Sequence, residues 1–183
     1  MKSWVFLGII LIFLNACASR RSVSLNASAK FSSHDYRMAA QYYEELMAKN
    51  PQNVEVYNLS MAYLAAGEPH RARPFLYYLH KQDKNNTKVM EALMYAEFTL
   101  GEWEQAQLMS EQLLAIDPFS VSAWYYQAQL LALQSQHEVA IELLLKVYYQ
   151  RSIPQVALAL AQNYQALGNT IDAEVWAKLG KLK

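Results

Sequence analysis

Cys17 is the single cysteine of the 183-residue chain, and it closes the run Leu14-Asn15-Ala16-Cys17. With no second thiol there is no intramolecular disulfide for it to make, so it is not there to staple the fold. The four imidazoles, His34, His70, His80 and His137, have no spacing that sets two on one helix face beside a carboxylate. A protein-bound metal needs such convergent ligands, and no metal site is expected. The sequence also has no glycine-rich phosphate loop, nucleophile elbow or paired catalytic motif, so neither catalysis nor a cofactor is expected. What remains is the chemistry of contact. The 13 tyrosines and 7 methionines offer large or adaptable surface to a partner.

Composition bounds what positions these groups. Hydrophobic residues make up 54% of the chain and charged residues 17%, which suits one folded domain with a sizeable core. Lys plus Arg equals Asp plus Glu at 16 each, so no broad basic field exists to neutralise phosphates and nucleic acid is not expected. The first residues differ from the rest: Lys2 precedes an apolar run from Trp4 to Leu14. That run is too short to span a bilayer, which takes about 20 residues. A basic start, a short apolar stretch and a small residue before Cys17 read as a secretory signal over residues 1–16. A buried core helix is the alternative, but nothing polar lines the run's other face.

Downstream the chain repeats itself. Gly67 and Gly101 lie 34 residues apart, and Ala39, Ala72, Ala106, Ala140 and Ala173 follow at steps of 33 or 34. A period of this length means stacked helix pairs. Residues 25–31 read either as a first, degenerate helix, with Ala27 and Phe31 on one face, or as a Ser-rich linker. A helix opens at Asp35-Tyr36, carries Ala39, Tyr42, Tyr43, Leu46 and Met47 at three- and four-residue steps, and stops at Pro51. The next pair turns at Gly67 and restarts at Pro69, with Pro74 predicted to distort the second helix's first turn. Further pairs run 88–100 with 103–116, 121–134 with 137–149, and 154–167 with 170–181. Their turns fall at Gly101, Ser135 and Gly168. Short connections make neighbours antiparallel.

The residues at these positions resemble the tetratricopeptide repeat. Leu93, Gly101, Trp103, Ala106 and Pro118 fit its pattern in one unit, and Leu59, Ser60, Ala62, Tyr63, Gly67 and Ala72 in another. Trp124, Ala128 and Ala140 fit in the next, then Leu160, Ala161, Tyr164, Gly168 and Ala173. Glu97, Gln127, Ser135 and Lys84 depart from it. The resemblance implies an all-α, right-handed superhelix of antiparallel helix pairs, with about 4.5 to 5 repeats in a domain over residues 23–183. The repeats are approximately 20–52, 53–86, 87–120, 121–153 and 154–183.

The stretch around Cys17 resembles the lipobox of bacterial lipoproteins, with Leu14 and Ala16 matching. This implies that Cys17 is acylated, palmitate being one such chain, and that residues 17–22 form a lipidated tether. Several acyl chains, at about 0.8 kcal/mol per buried methylene, hold a protein on a membrane. Ala18 and Ser19 follow in place of the Asp that retains such proteins in the inner membrane, which implies the periplasmic face of the outer membrane. Arg20 and Arg21 are placed to touch anionic headgroups.

By the same resemblance a concave groove is lined by the first helix of each pair. Carried across, its rows are Val54, Lys88, Ser122 and Gln155; Tyr57, Glu91, Tyr125 and Leu158; Met61, Tyr95, Gln129 and Gln162; and Leu64, Phe98, Ala132 and Gln165. Family members that grip a terminal carboxylate use several cations there, whereas Lys88 is the sole cation in these rows. An apolar or amphipathic segment of a protein partner is expected instead, held by Tyr57, Met61, Tyr95, Phe98 and Tyr125, with Lys88, Glu91, Gln129, Leu158 and Gln162 around them. Ile171, Val175, Trp176 and Leu179 suggest a second surface, where Trp176 either closes the core or serves self-association. The implied function is a non-enzymatic, lipid-anchored scaffold, similar to the lipoproteins that help assemble type IV or Tad pili and secretin rings. The alternative is an adaptor that recruits peptidoglycan-remodelling enzymes.

Overall fold

The structure, a computed structural model, describes residues 19–49 and 52–181. The apolar run, Cys17 and Pro51 lie outside them. Every element among the described residues is helical. Helix α1 covers residues 19–32. It is followed by α2 (Tyr36–Lys49), α3 (Asn53–Ala65), α4 (Pro69–Gln82), α5 (Thr87–Leu100) and α6 (Trp103–Ile116). The last four are α7 (Val121–Leu133), α8 (His137–Gln150), α9 (Pro154–Ala166) and α10 (Thr170–Leu179).

Residues 25–31 are therefore a helix and not a linker, and residues 19–22, read as tether, belong to the same helix. Val23 and Ala27 are buried one turn apart. Arg20 also donates to Glu55 on α3 at 2.6 Å, which fixes the helix at its start.

One turn closes every pair. His34, Gly67, Gly101, Ser135 and Gly168 all have positive φ, between 61° and 80°. At each, the turn residue's N–H bonds the carbonyl three residues back: Phe31, Leu64, Phe98, Ala132 and Gln165. The following N–H bonds the carbonyl five back from itself: Lys30, Tyr63, Glu97, Leu131 and Tyr164. This pair of bonds caps the carbonyls that a helix end leaves open. The left-handed conformation is what glycine adopts without strain. Two of the five turns hold it with a side chain instead.

The period also sets the packing. Ala39, Ala72, Ala106, Ala140 and Ala173, each five residues beyond a turn, are buried, because a methyl is the largest group that lets the two helices of a pair cross closely. Pro74 does not break α4, which runs unbroken from Pro69 to Gln82. The ring and His70 are exposed, so water can take the carbonyl whose partner N–H is missing.

The chain divides after Gln82 into two compact units. In the first, α2 packs on α3 and α3 on α4. A polar network ties these helices. The Tyr63 hydroxyl donates to Glu44 and accepts from Arg71 at 2.8 Å, and Arg71 also reaches Glu44 at 2.7 Å and Glu68 at 2.9 Å. The Arg71 guanidinium lies 4.2 Å from the centre of the Tyr63 ring, a cation–π contact. In the second unit α5, α7 and α9 contact one another in sequence, α6 packs on α5 and α7, and α8 packs on α7 and α9. Ala128, Ile141, Leu144, Val147, Val156 and Leu160 form the apolar centre of this unit.

Candidate functional site

In the second unit the first helices of each pair bring aromatic rings together. Tyr95 and Phe98 sit on α5, one turn apart. Phe98 packs edge-on against Trp103 at 5.3 Å and lies 5.1 Å from Tyr126 on α7. Tyr126 in turn meets Tyr95 at 6.4 Å and Tyr125 at 5.4 Å. Tyr95 is 38% exposed, so the cluster has an open edge. Burial pushes the Tyr126 hydroxyl well above the ordinary tyrosine value, with Tyr95 and Tyr125 adding to the effect. Tyr125 is raised by burial too, against a hydrogen bond with Gln129 that acts the other way. Neutral phenols in a ring cluster offer area and hydrogen bonds, not charge.

Glu91 accepts a hydrogen bond from Ser122 at 2.7 Å, and Ser122 is 3.0 Å from Ser120. These three, with Asp117, Gln150 and Arg151, line a polar cavity of about 380 Å³. Lys88 and Gln162 are exposed. Leu158 on α9 is partly exposed and lies close to Gly180, the residue that follows α10: a β-carbon there would stand 2.6 Å from its Cγ. Trp176 packs edge-on against Tyr148 at 4.9 Å and so contributes to this unit's packing, while Ile171 and Val175 are exposed.

In the first unit Tyr57 and Met61 line a separate cavity of about 260 Å³ together with Phe31, Tyr43 and Asn58. Leu64, from the same rows, is core. Tyr126, Phe31 and Asn58 were absent from the sequence-derived rows. Their signal is positional, since each falls at a fixed distance before a turn residue.

The departures from the repeat pattern take different places. Glu97 is buried within α5. Gln127 lines a small cavity of about 180 Å³ with Gln107, Leu130, Leu131 and Gln134. The histidines are dispersed: His34 lies against Tyr36, His137 bonds buried Asn163 at 2.9 Å, and the His80 Nδ1 is buried. Among the described residues no group of three or more His, Cys, Asp or Glu is placed to hold a metal ion. No described helix is long and apolar enough to cross a membrane.

Residues 92–157, from within α5 to within α9, match a family model described as tetratricopeptide repeat. No curated protein matches the sequence significantly. Among solved structures the chain is similar to TTC0263, a thermophilic TPR protein of Thermus thermophilus. The two are 19% identical, with 87% of this chain and 89% of that chain covered and a TM-score of 0.72. It is similar as well to the MamA protein, at 18% identity, 88% and 89% coverage and a TM-score of 0.69. A further similar structure is MamA RS-1 ArsTM double mutant, at 13% identity, 88% and 92% coverage and a TM-score of 0.72. Likeness at these identities is likeness of fold. The chain thus has the tetratricopeptide helix-pair fold, and its residues 92–157 carry the sequence signature of that repeat.

Proposed function

We propose that this chain is a lipid-anchored, non-enzymatic scaffold on the periplasmic face of the outer membrane that holds an apolar or amphipathic segment of another envelope protein. Assembly of a pilus or a secretin is the process it serves. The run Leu14-Asn15-Ala16-Cys17 supports the address. The observation that carries the binding reading is the aromatic cluster on α5 and α7 with its open edge at Tyr95. A segment lying there gains buried ring area, and the one cation among the groove residues of this unit, Lys88, leaves little for a carboxylate to grip. Binding of this kind depends weakly on salt.

A photo-crosslinking amino acid at position 95, compared with position 149 on α8, tests the surface in intact envelopes. One discrete protein adduct from position 95 and none from position 149 is expected. Equal labelling from both would refute the assignment. Replacing Cys17 with Ser tests the anchor: the protein should leave the membrane fraction, and retention there would refute lipidation at that residue.

A further inference from the structure

Phe31 and Phe98 each lie three residues before a turn, and each packs on an aromatic two residues beyond it. The geometry is the same in both: Phe31 with Tyr36 at 5.2 Å and 64°, Phe98 with Trp103 at 5.3 Å and 66°. In the second unit the next ring is supplied by the chain itself. Tyr126, nine residues before Ser135, lies 5.1 Å from Phe98, with Tyr95 6.4 Å beyond it. The residue nine before Gly67 is Asn58, and the counterpart of Tyr95 is Ser28. Two tyrosines are replaced by two small polar residues, and at Asn58 the cavity of about 260 Å³ opens, with Phe31 as one wall; Ser28 is exposed and does not line it.

The cavity's chemistry suits a ring. Cavities of about 150 Å³ lined by apolar side chains take up benzene, so this one admits a substituted ring. Its walls are the side chains of Phe31, Tyr43 and Tyr57 and the adaptable thioether of Met61, which favours the edge of an aromatic. Asn58 adds one amide, the kind of sparse polar group that orients a bound ring bearing a hydroxyl or N–H.

We propose that this cavity receives one aromatic side chain of the partner polypeptide, in the place that Tyr126 occupies in the second unit. It rests on the scaffold reading above and names what the partner must present. The partner segment carries a Tyr, Phe or Trp that inserts beside Phe31.

Two measurements on the full chain test this. The first follows the Met61 methyl resonance while p-cresol, the tyrosine side-chain analogue, is titrated. A saturable shift is expected, and Asn58→Tyr, which supplies the ring from within as Tyr126 does, should abolish it. The second places the photo-crosslinking residue at Val54, exposed near the start of α3, and compares it with position 95. Asn58→Tyr, or excess p-cresol with the unsubstituted Asn58, should lower the adduct at position 54 about tenfold or more and leave that at position 95 unchanged. An unmoved Met61 methyl, or an adduct at 54 that survives both, would overturn the inference while the scaffold reading stands. A p-cresol shift with no adduct at 54 would assign the cavity to a free small aromatic and overturn the partner. Loss of adducts at 95 as well as 54 in the unsubstituted protein would count against the scaffold reading itself.

Discussion

Ser135 holds the left-handed turn between α7 and α8 at φ 61°, where three of the other four turns have glycine. Replacing it with Gly should stabilise the protein. An L-residue in this conformation costs about 1–2 kcal/mol, and glycine's greater freedom in the unfolded chain takes back about 0.4–1 kcal/mol. The net gain is about 0.5–1 kcal/mol. The two capping bonds, Ser135 N–H to Ala132 at 3.0 Å and Gln136 N–H to Leu131 at 2.9 Å, are backbone bonds and survive the change. At about 2–4 °C per kcal/mol for a chain of this size, the melting midpoint should rise by about 1–4 °C. Ser135→Ala keeps the β-carbon and should give no such rise. The reciprocal Gly101→Ser should lower the midpoint. A β-carbon there meets the Trp103 ring at 3.6 Å, an ordinary contact, so that loss comes from the backbone alone. Thermal unfolding followed by circular dichroism on the three variants decides the matter. If Ser135→Gly and Ser135→Ala shift the midpoint equally, the turn strain is not the cause.

Tyr63→Phe removes the hydroxyl shared by Glu44 and Arg71 and should cost about 1–2 kcal/mol in urea unfolding; an unchanged midpoint would mean that the Arg71 pairs suffice. For Tyr126 the raised folded-state pKa has a definite sign. The neutral phenol is the form the fold favours, so stability is full below the ordinary value of about 10 and falls as pH rises from there, until the folded tyrosine ionises. Tyr126→Phe should therefore flatten the loss of stability above about pH 10, and a slope equal to that of the unsubstituted chain would contradict it. Gly180→Ala puts a β-carbon 2.6 Å from Leu158 Cγ and 3.1 Å from its backbone nitrogen. It should loosen α10 from α9, read as faster hydrogen exchange in α10; unchanged exchange would show that Leu158 yields without cost.

The helix pairs were legible because two residue types recur at a fixed spacing. Glycine marks a left-handed turn, and buried alanine marks a close crossing. Where the type was missing the signal failed. His34 closes the first pair with the same two bonds as Gly67, yet its residue type gave no hint, and residues 25–31 stayed open between helix and linker. Its spacing of 33 residues from Gly67 held the information. Pro74 shows the limit of a type signal, since α4 runs on through it from Pro69 to Gln82 with the ring exposed. The aromatic face was legible in Tyr95, Phe98 and Tyr125, but the rows carried over from the family skip the position that Tyr126 holds.

Tyr126 and Asn58 share an offset from their turns, and the difference between them bears on how a repeat divides stability from binding. With Tyr126 in place, Phe98 is covered on both sides and the rings contribute to the packing of α5 and α7. With Asn58 in place, the same offset leaves Phe31 facing a cavity, and whatever the missing ring would have contributed to folding is withheld. Folding of the first unit then leans on other contacts, among them the Glu44–Tyr63–Arg71 network and the Arg20–Glu55 pair on α1 and α3. Under the proposal above, that withheld contact is made when the partner's ring arrives. Binding should accordingly stabilise the first unit more than the second, and Asn58→Tyr should give the same stabilisation with no partner present. Hydrogen exchange resolved over α1 and α3 measures both effects. Equal protection of both units on binding would argue that the cavity takes no part in it.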